Sequence, residues 1–111
     1  MNKNNKMNNE MVCNYHITLR NGEGRLIDWK GYETYDDAVS EYIDLIYYVN
    51  EITDGSFVAV SEGVLNFVNE DGVSIAIEKT SGNLLMEILF KNDRMVEELF
   101  SNYFADKKSL A

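Results

Sequence analysis

The chain contains no proline, one cysteine and one histidine. Without proline there is no rigid linker and no proline-marked boundary. A single cysteine excludes an internal disulfide, and one Cys with one His cannot by themselves complete a zinc site. No uninterrupted apolar run approaches the roughly 20 residues that a membrane-spanning helix needs. The first ten residues, MNKNNKMNNE, lack the apolar stretch of about 7–15 residues on which a secretory signal depends. Positive charge is scarce as well. Ten Lys and Arg against 19 Asp and Glu leave a formal net charge of −9, the wrong sign for a nucleic-acid ligand. The expectation is a cytoplasmic protein that neither enters a membrane nor binds nucleic acid directly.

What is present suits one globular domain. The 111 residues are 45% hydrophobic and 26% charged, ordinary usage that argues against wholesale disorder. Residues 1–10, rich in Asn and Lys, read as a flexible tail, because such residues bury too little surface to offset their ordering entropy. Residues 11–108 read as a single α+β domain.

From Met11 the pattern alternates, with Cys13, Tyr15, Ile17 and Leu19 on one face and Asn14, His16, Thr18 and Arg20 on the other. This predicts a half-buried strand. Asn21-Gly22-Glu23-Gly24 predicts a hairpin turn, and the return strand to about Lys30 should place Ile27 and Trp29 toward the core. Thr34 predicts a helix N-cap, with Asp37 placed to reach back to it. Ala38, Val39, Tyr42, Ile43, Leu45, Ile46, Val49 and Ile52 recur at three and four, predicting a helix from about Tyr35 to Glu51 with Ile43 and Ile46 buried.

Short β-branched and aromatic runs follow: Ser56–Ser61, Val64–Val68, Val73–Lys79 and Leu84–Phe90, separated by turn residues. Asn92 or Asp93 then caps a last helix. Its buried stripe is Met95, Val96, Leu99, Phe100, Tyr103 and Phe104, and Lys107 and Lys108 sit at the negative end of its dipole. The order is β-β-α-β-β-β-β-α, an antiparallel sheet with two helices on one face.

Little in this pattern carries chemistry. Strand alternation turns Cys13 inward and His16 outward, so the two are not expected to form a dyad. The glycines of Asn21–Arg25 lead into a strand and not a helix N-terminus, which disqualifies them as a phosphate loop. Asp36-Asp37 and Asn69-Glu70-Asp71-Gly72 read as a helix cap and a turn, because neither follows the alternating ligand pattern of a calcium loop. No catalytic, cofactor or metal site is expected, and the protein is not expected to be an enzyme.

Charge is the uneven feature. Between Asp28 and Glu78 lie twelve acids and one base, Lys30, so this stretch alone carries −11. On the long helix Asp37, Glu41, Asp44, Tyr48 and Glu51 follow one another at four, three, four and three, predicting an exposed stripe opposite the apolar one. Like charges at these spacings cost a helix a few tenths of a kcal/mol per pair. The stripe reads in two ways: as a solvated face that keeps a small acidic protein soluble, or, with Asp36, as a docking face for a basic partner, steered electrostatically.

In its gross character, about a hundred residues, acidic, α+β and without catalytic residues, the chain resembles small phage and mobile-element proteins that inhibit nucleases. Anti-CRISPR and anti-restriction proteins are among these, as are immunity proteins that neutralise nuclease toxins. The likeness is one of composition and architecture and carries no functional residue across. Together with the charge, it implies an inhibitor that occupies the basic nucleic-acid-binding surface of an enzyme. The alternative is a non-catalytic module that binds a small molecule, or assembles with itself, through an aromatic-lined groove between helix and sheet.

Overall fold

The computed structural model of the chain describes residues 13–90 and 94–110, with side chains placed as far as residue 105. The tail at 1–10, the expected strand start at Met11, the cap at Asn92 or Asp93 and the side chains of Lys107 and Lys108 lie outside the described residues.

Strands β1 (Tyr15–Arg20) and β2 (Leu26–Tyr32) form a hairpin that leads into helix α1 (Tyr35–Thr53). Strands β3 (Val58–Ala59), β4 (Asn66–Val68) and β5 (Ser74–Lys79) follow, then a short helix α2 (Gly82–Met86) and the long helix α3 (Arg94–Leu110). The strands make one five-stranded sheet in the order β2-β1-β5-β4-β3, and every neighbouring pair is antiparallel. The α+β class, the antiparallel sheet and the two long helices are as the sequence predicts. No helix among the described residues is long and apolar enough to cross a membrane.

Local chemistry sets the element ends. Thr34 is extended and its hydroxyl accepts the Asp37 amide at 3.1 Å, so α1 begins where the cap residue predicts. The helix ends at Asp54, which takes a left-handed conformation and donates its backbone N–H to the carbonyl of Asn50. The two hairpin turns are built alike. The side-chain oxygen of Asn21 accepts the amides of Glu23 and Arg25, and that of Asn69 accepts the amides of Asp71 and Val73. The turns also touch, because a Cβ added to Gly22 would lie 2.6 Å from the carbonyl oxygen of Asp71.

One face of the sheet carries the main core. Ile17 and Leu19 of β1, Ile27 of β2 and Ile75 of β5 pack with Tyr42, Leu45, Ile46 and Val49 of α1 and with Val96, Phe100 and Tyr103 of α3. The Tyr42 hydroxyl reaches through this layer to the Ile75 carbonyl at 2.7 Å, which satisfies the buried phenol. Met95, expected in the buried stripe of α3, is 69% exposed. It stands in the first turn of that helix, outside the packed positions Val96, Phe100 and Tyr103.

Three further expectations are corrected. Ile43 is half-exposed, while Ile46 is buried as expected; the apolar stripe of α1 is wider than the sheet that covers it. Trp29 does not face the core. A β-bulge shifts the β1–β2 register between Leu19↔Asp28 and Arg20↔Leu26, leaving Ile27 as the extra residue. Beyond the bulge the alternation is inverted. Trp29 pairs with Thr18 and turns to the opposite face, where its ring meets His16 edge-on at 4.6 Å. Lys30 takes the helix side instead, with its ammonium 5.3 Å from the Phe104 ring.

The expected strand at Leu84–Phe90 is also different. Ser81 caps the short helix α2 by accepting the Leu84 amide, and the chain then extends until Phe90 donates one backbone hydrogen bond to Leu26 on the edge strand β2. This segment runs over the sheet face away from the helices. There Leu26 and Leu84 are buried, and Arg25 lies over the Phe90 ring. Glu87 turns inward to Arg20 while Met86 and Ile88 point to solvent. The polar residue is the less exposed one, half-buried between two exposed apolar neighbours, the reverse of what an apolar–polar–apolar run predicts.

Candidate functional site

Helix α1 presents the acidic stripe, and the structure divides it. Asp36, Asp37, Asp44 and Glu51 are exposed. Glu41 and Tyr48 are not open to the same degree, because α3 packs beside them. The Tyr103 hydroxyl donates to the Glu41 carboxylate, and the Tyr48 and Tyr103 rings meet edge-on at 5.3 Å. Glu41 and Tyr48 therefore belong to the seam between the two long helices. The helical spacing alone could not separate them from the exposed acids. The available signal was the apolar stripe of α3, whose Tyr103 and Phe104 need a partner surface somewhere on the other helix.

Electrostatics in the seam follow from burial. The Tyr103 hydroxyl is pushed well above the ordinary tyrosine value, first by burial and then by the Glu41 carboxylate, with Asp44 adding to it. Tyr32, also packed against the core, is raised by burial and by Glu41. These phenols stay neutral at any physiological pH, so the seam concentrates no further negative charge. The acids of the α1 face are the four exposed ones together with the half-buried Glu41 at the seam.

Among the described residues no ion pair joins a base to Asp36, Asp37, Asp44 or Glu51. The ion pairs found among the described residues are both made by Arg20, at 2.7 Å to Glu78 and 2.8 Å to Glu87, on the sheet face away from α1. Arg20 and the Thr18 hydroxyl bond Glu78 together, and the hydrogen bond from Arg20 is the main reason its carboxyl is held below the usual range. Charge is thus sorted between the two sides. On the far face one guanidinium is shared by two carboxylates, and α1 holds acids without a basic residue in its own length.

Beside the acids, α1 and β4 enclose a groove of about 290 Å³ lined by Tyr42, Ile43, Ile46, Tyr47, Leu65 and Phe67. A second hollow, of about 440 Å³, lies between the end of α1, the β4–β5 turn and the start of α3, with Ile52, Phe57, Asp71 and Leu99 in its walls. Neither is lined by Cys13 or His16.

Those two residues are placed differently from the expectation. His16 is 1% exposed, not a surface residue. Its Nδ1 lies 2.7 Å from the Thr80 hydroxyl, and burial lowers its pKa, disfavouring the charged ring, despite the opposing field of Glu78. Cys13 precedes the regular strand and does not follow its alternation. A Cβ placed on Gly31 would meet the Cys13 Sγ at 2.7 Å and the His16 Nε2 at 3.3 Å, so thiol and imidazole border the same small space. Gly31 is what lets them pack there.

The two acidic segments considered as cation ligands have local structural roles through their backbone: the Thr34 hydroxyl accepts the Asp37 amide, and the Asn69 side chain accepts the amides of Asp71 and Val73. Among the described residues no group of three His, Cys, Asp or Glu is disposed to hold a metal ion. Comparison with protein-family models, with curated proteins and with solved structures returned no match.

Proposed function

We propose that this protein acts by binding, and that the exposed acids of α1 occupy a basic, nucleic-acid-binding surface of a partner enzyme and block it. The observation that carries this reading is the sorting of charge. Asp36, Asp37, Asp44 and Glu51 are exposed along one helix, while the ion pairs of Arg20 lie on the opposite side of the sheet. Like charges three or four residues apart weaken a helix; α1 places Asp37 and Asp44 at these spacings from Glu41, with no Lys or Arg in its own length to relieve them, which supports a partner better than stability. Such a face speeds encounter with a basic surface, and salt screens it.

The test is a triple charge reversal, Asp37→Lys, Asp44→Lys and Glu51→Lys. Glu41 is left in place because it belongs to the helix seam. Wild type and variant are immobilised, and nuclease-treated host extract is passed over both at low and at high salt. The expected result is a DNA- or RNA-binding enzyme retained by wild type alone, released by salt, displaced by added nucleic acid and inhibited when assayed. Equal retention by the triple variant would overturn the reading.

A further inference from the structure

The acids of α1 do not border open solvent on both sides. Tyr47 and Ile43, one helical turn apart, are 74% and 45% exposed and form the rim of the α1–β4 groove. Asp44 and Glu51 stand three before and four after Tyr47, so they flank it on the same helical face. The rest of the lining is Tyr42, Ile46, Asn50, Leu65 and Phe67, a mainly aromatic and aliphatic surface beside a row of carboxylates.

From this juxtaposition we infer that the α1–β4 groove takes a large apolar side chain from a basic segment of the partner protein, whose flanking Lys or Arg residues lie over Asp44 and Glu51. This rests on the docking reading above and deepens it, because a face that only imitated a phosphate row would have no use for an apolar slot. Charge complementarity selects the occupant. A second copy of this chain would bring its own Asp44 and Glu51 against the same acids in a two-fold contact, which like charge opposes. A drug-sized ligand is a poorer fit, since the groove volume of about 290 Å³ lies at the floor of the range such ligands use. An anchor residue at the centre of an interface, ringed by polar contacts, suits both the size and the surroundings.

Two synthetic peptides test it: a short Lys-rich peptide with a central Trp-Leu pair, and the same peptide with Ala at both positions. Each is titrated into isotope-labelled protein and followed by NMR. The Trp-Leu peptide is expected to bind about tenfold tighter or more, and only it should shift the resonances of Ile43, Leu65 and Phe67. Ile43→Ser, at a half-exposed position, should remove that advantage while leaving the Ala peptide's weak binding unchanged. Equal affinity for the two peptides, both abolished by the Asp44→Lys, Glu51→Lys double variant, overturns the groove and leaves the acidic face standing. Binding of both that survives this double variant overturns the acidic face as well. A concentration-dependent dimer that protects the groove resonances and is not displaced by the Trp-Leu peptide also overturns the inference, in favour of self-assembly.

Discussion

Tyr103 of α3 donates its hydroxyl to the carboxylate of Glu41 on α1, joining residues 62 apart in the chain. One acid of the α1 stripe thereby becomes part of the packing between the long helices, next to Tyr48 and Tyr32. The bond predicts two measurable properties. Tyr103→Phe should lower stability by about 1 kcal/mol at neutral pH, the usual worth of such a bond. Alkali should also unfold the protein, because Tyr103, Tyr32 and Tyr42 are all raised above 10.0, chiefly by burial. A group raised in the folded state contributes stability that is complete below its unfolded value and is lost as pH rises, because the unfolded chain ionises first. Denaturant midpoints should therefore fall above about pH 10, and less steeply in the Tyr103→Phe variant. A variant with wild-type stability and the same alkaline slope would contradict the seam.

Arg20 bridges Glu78 and Glu87 on the far face, where strand β5 and the segment after α2 meet. Arg20→Met should leave two carboxylates facing each other and destabilise by about 1–3 kcal/mol at neutral pH; the groups are partly solvated, so the figure stays below that of a buried pair. Glu78 is held below its ordinary 4.5 mainly by the Arg20 hydrogen bond. Its contribution is present above that value and is lost as pH falls through the lower folded value. The gap in Tm between wild type and variant should narrow on acidification below about 4.5. A constant gap down to pH about 3 would show that Arg20 acts through packing and not through its charge.

Gly31→Ala should be strongly disfavoured, by about 1–3 kcal/mol, because its Cβ would meet the Cys13 Sγ at 2.7 Å. Cys13→Ala should recover part of the loss in the double variant, since it removes the nearest atom while leaving the His16 ring at 3.3 Å. Additive effects of the two substitutions in chemical denaturation would show that the residues do not touch.

Ile46→Asp should cost about 3 kcal/mol or more, because it places a carboxylate in the core at a position 8% exposed. Ile43→Asp, one turn away in the open groove, should cost well under half of that. Asp44→Lys should leave the fold intact and gain about 0.2–0.5 kcal/mol by relieving repulsion with Glu41. Calorimetry of the three single variants checks the phase of α1 directly. Equal losses for Ile43→Asp and Ile46→Asp would show that the groove is closed.

Much of this fold is written in local signals. Thr34, the three-and-four recurrence from Ala38 to Val49 and the turn asparagines Asn21 and Asn69 specify their elements through hydrogen bonds and burial within a few residues. For that reason α1, both hairpin turns and the antiparallel α+β class could be read directly from the sequence. The acids of α1 were equally legible as a row. The sequence could not tell which of them a distant element would cover. Glu41 and Tyr48 were claimed by Tyr103, and Asp36, Asp37, Asp44 and Glu51 were left exposed.

Tertiary structure decided the rest wherever a single residue broke a period or a distant segment supplied a partner. The extra residue Ile27 inverted the faces of β2, exchanging Trp29 and Lys30, because one insertion in a two-residue period moves every later side chain to the other side. His16 became buried, and Glu87 turned inward, because the chain from Thr80 to Phe90 returned over the far face. There Thr80 meets the His16 ring and Glu87 reaches Arg20. Periodicity reports only which residues share a face. Burial depends on what covers that face, and residues dozens of positions away determine the cover.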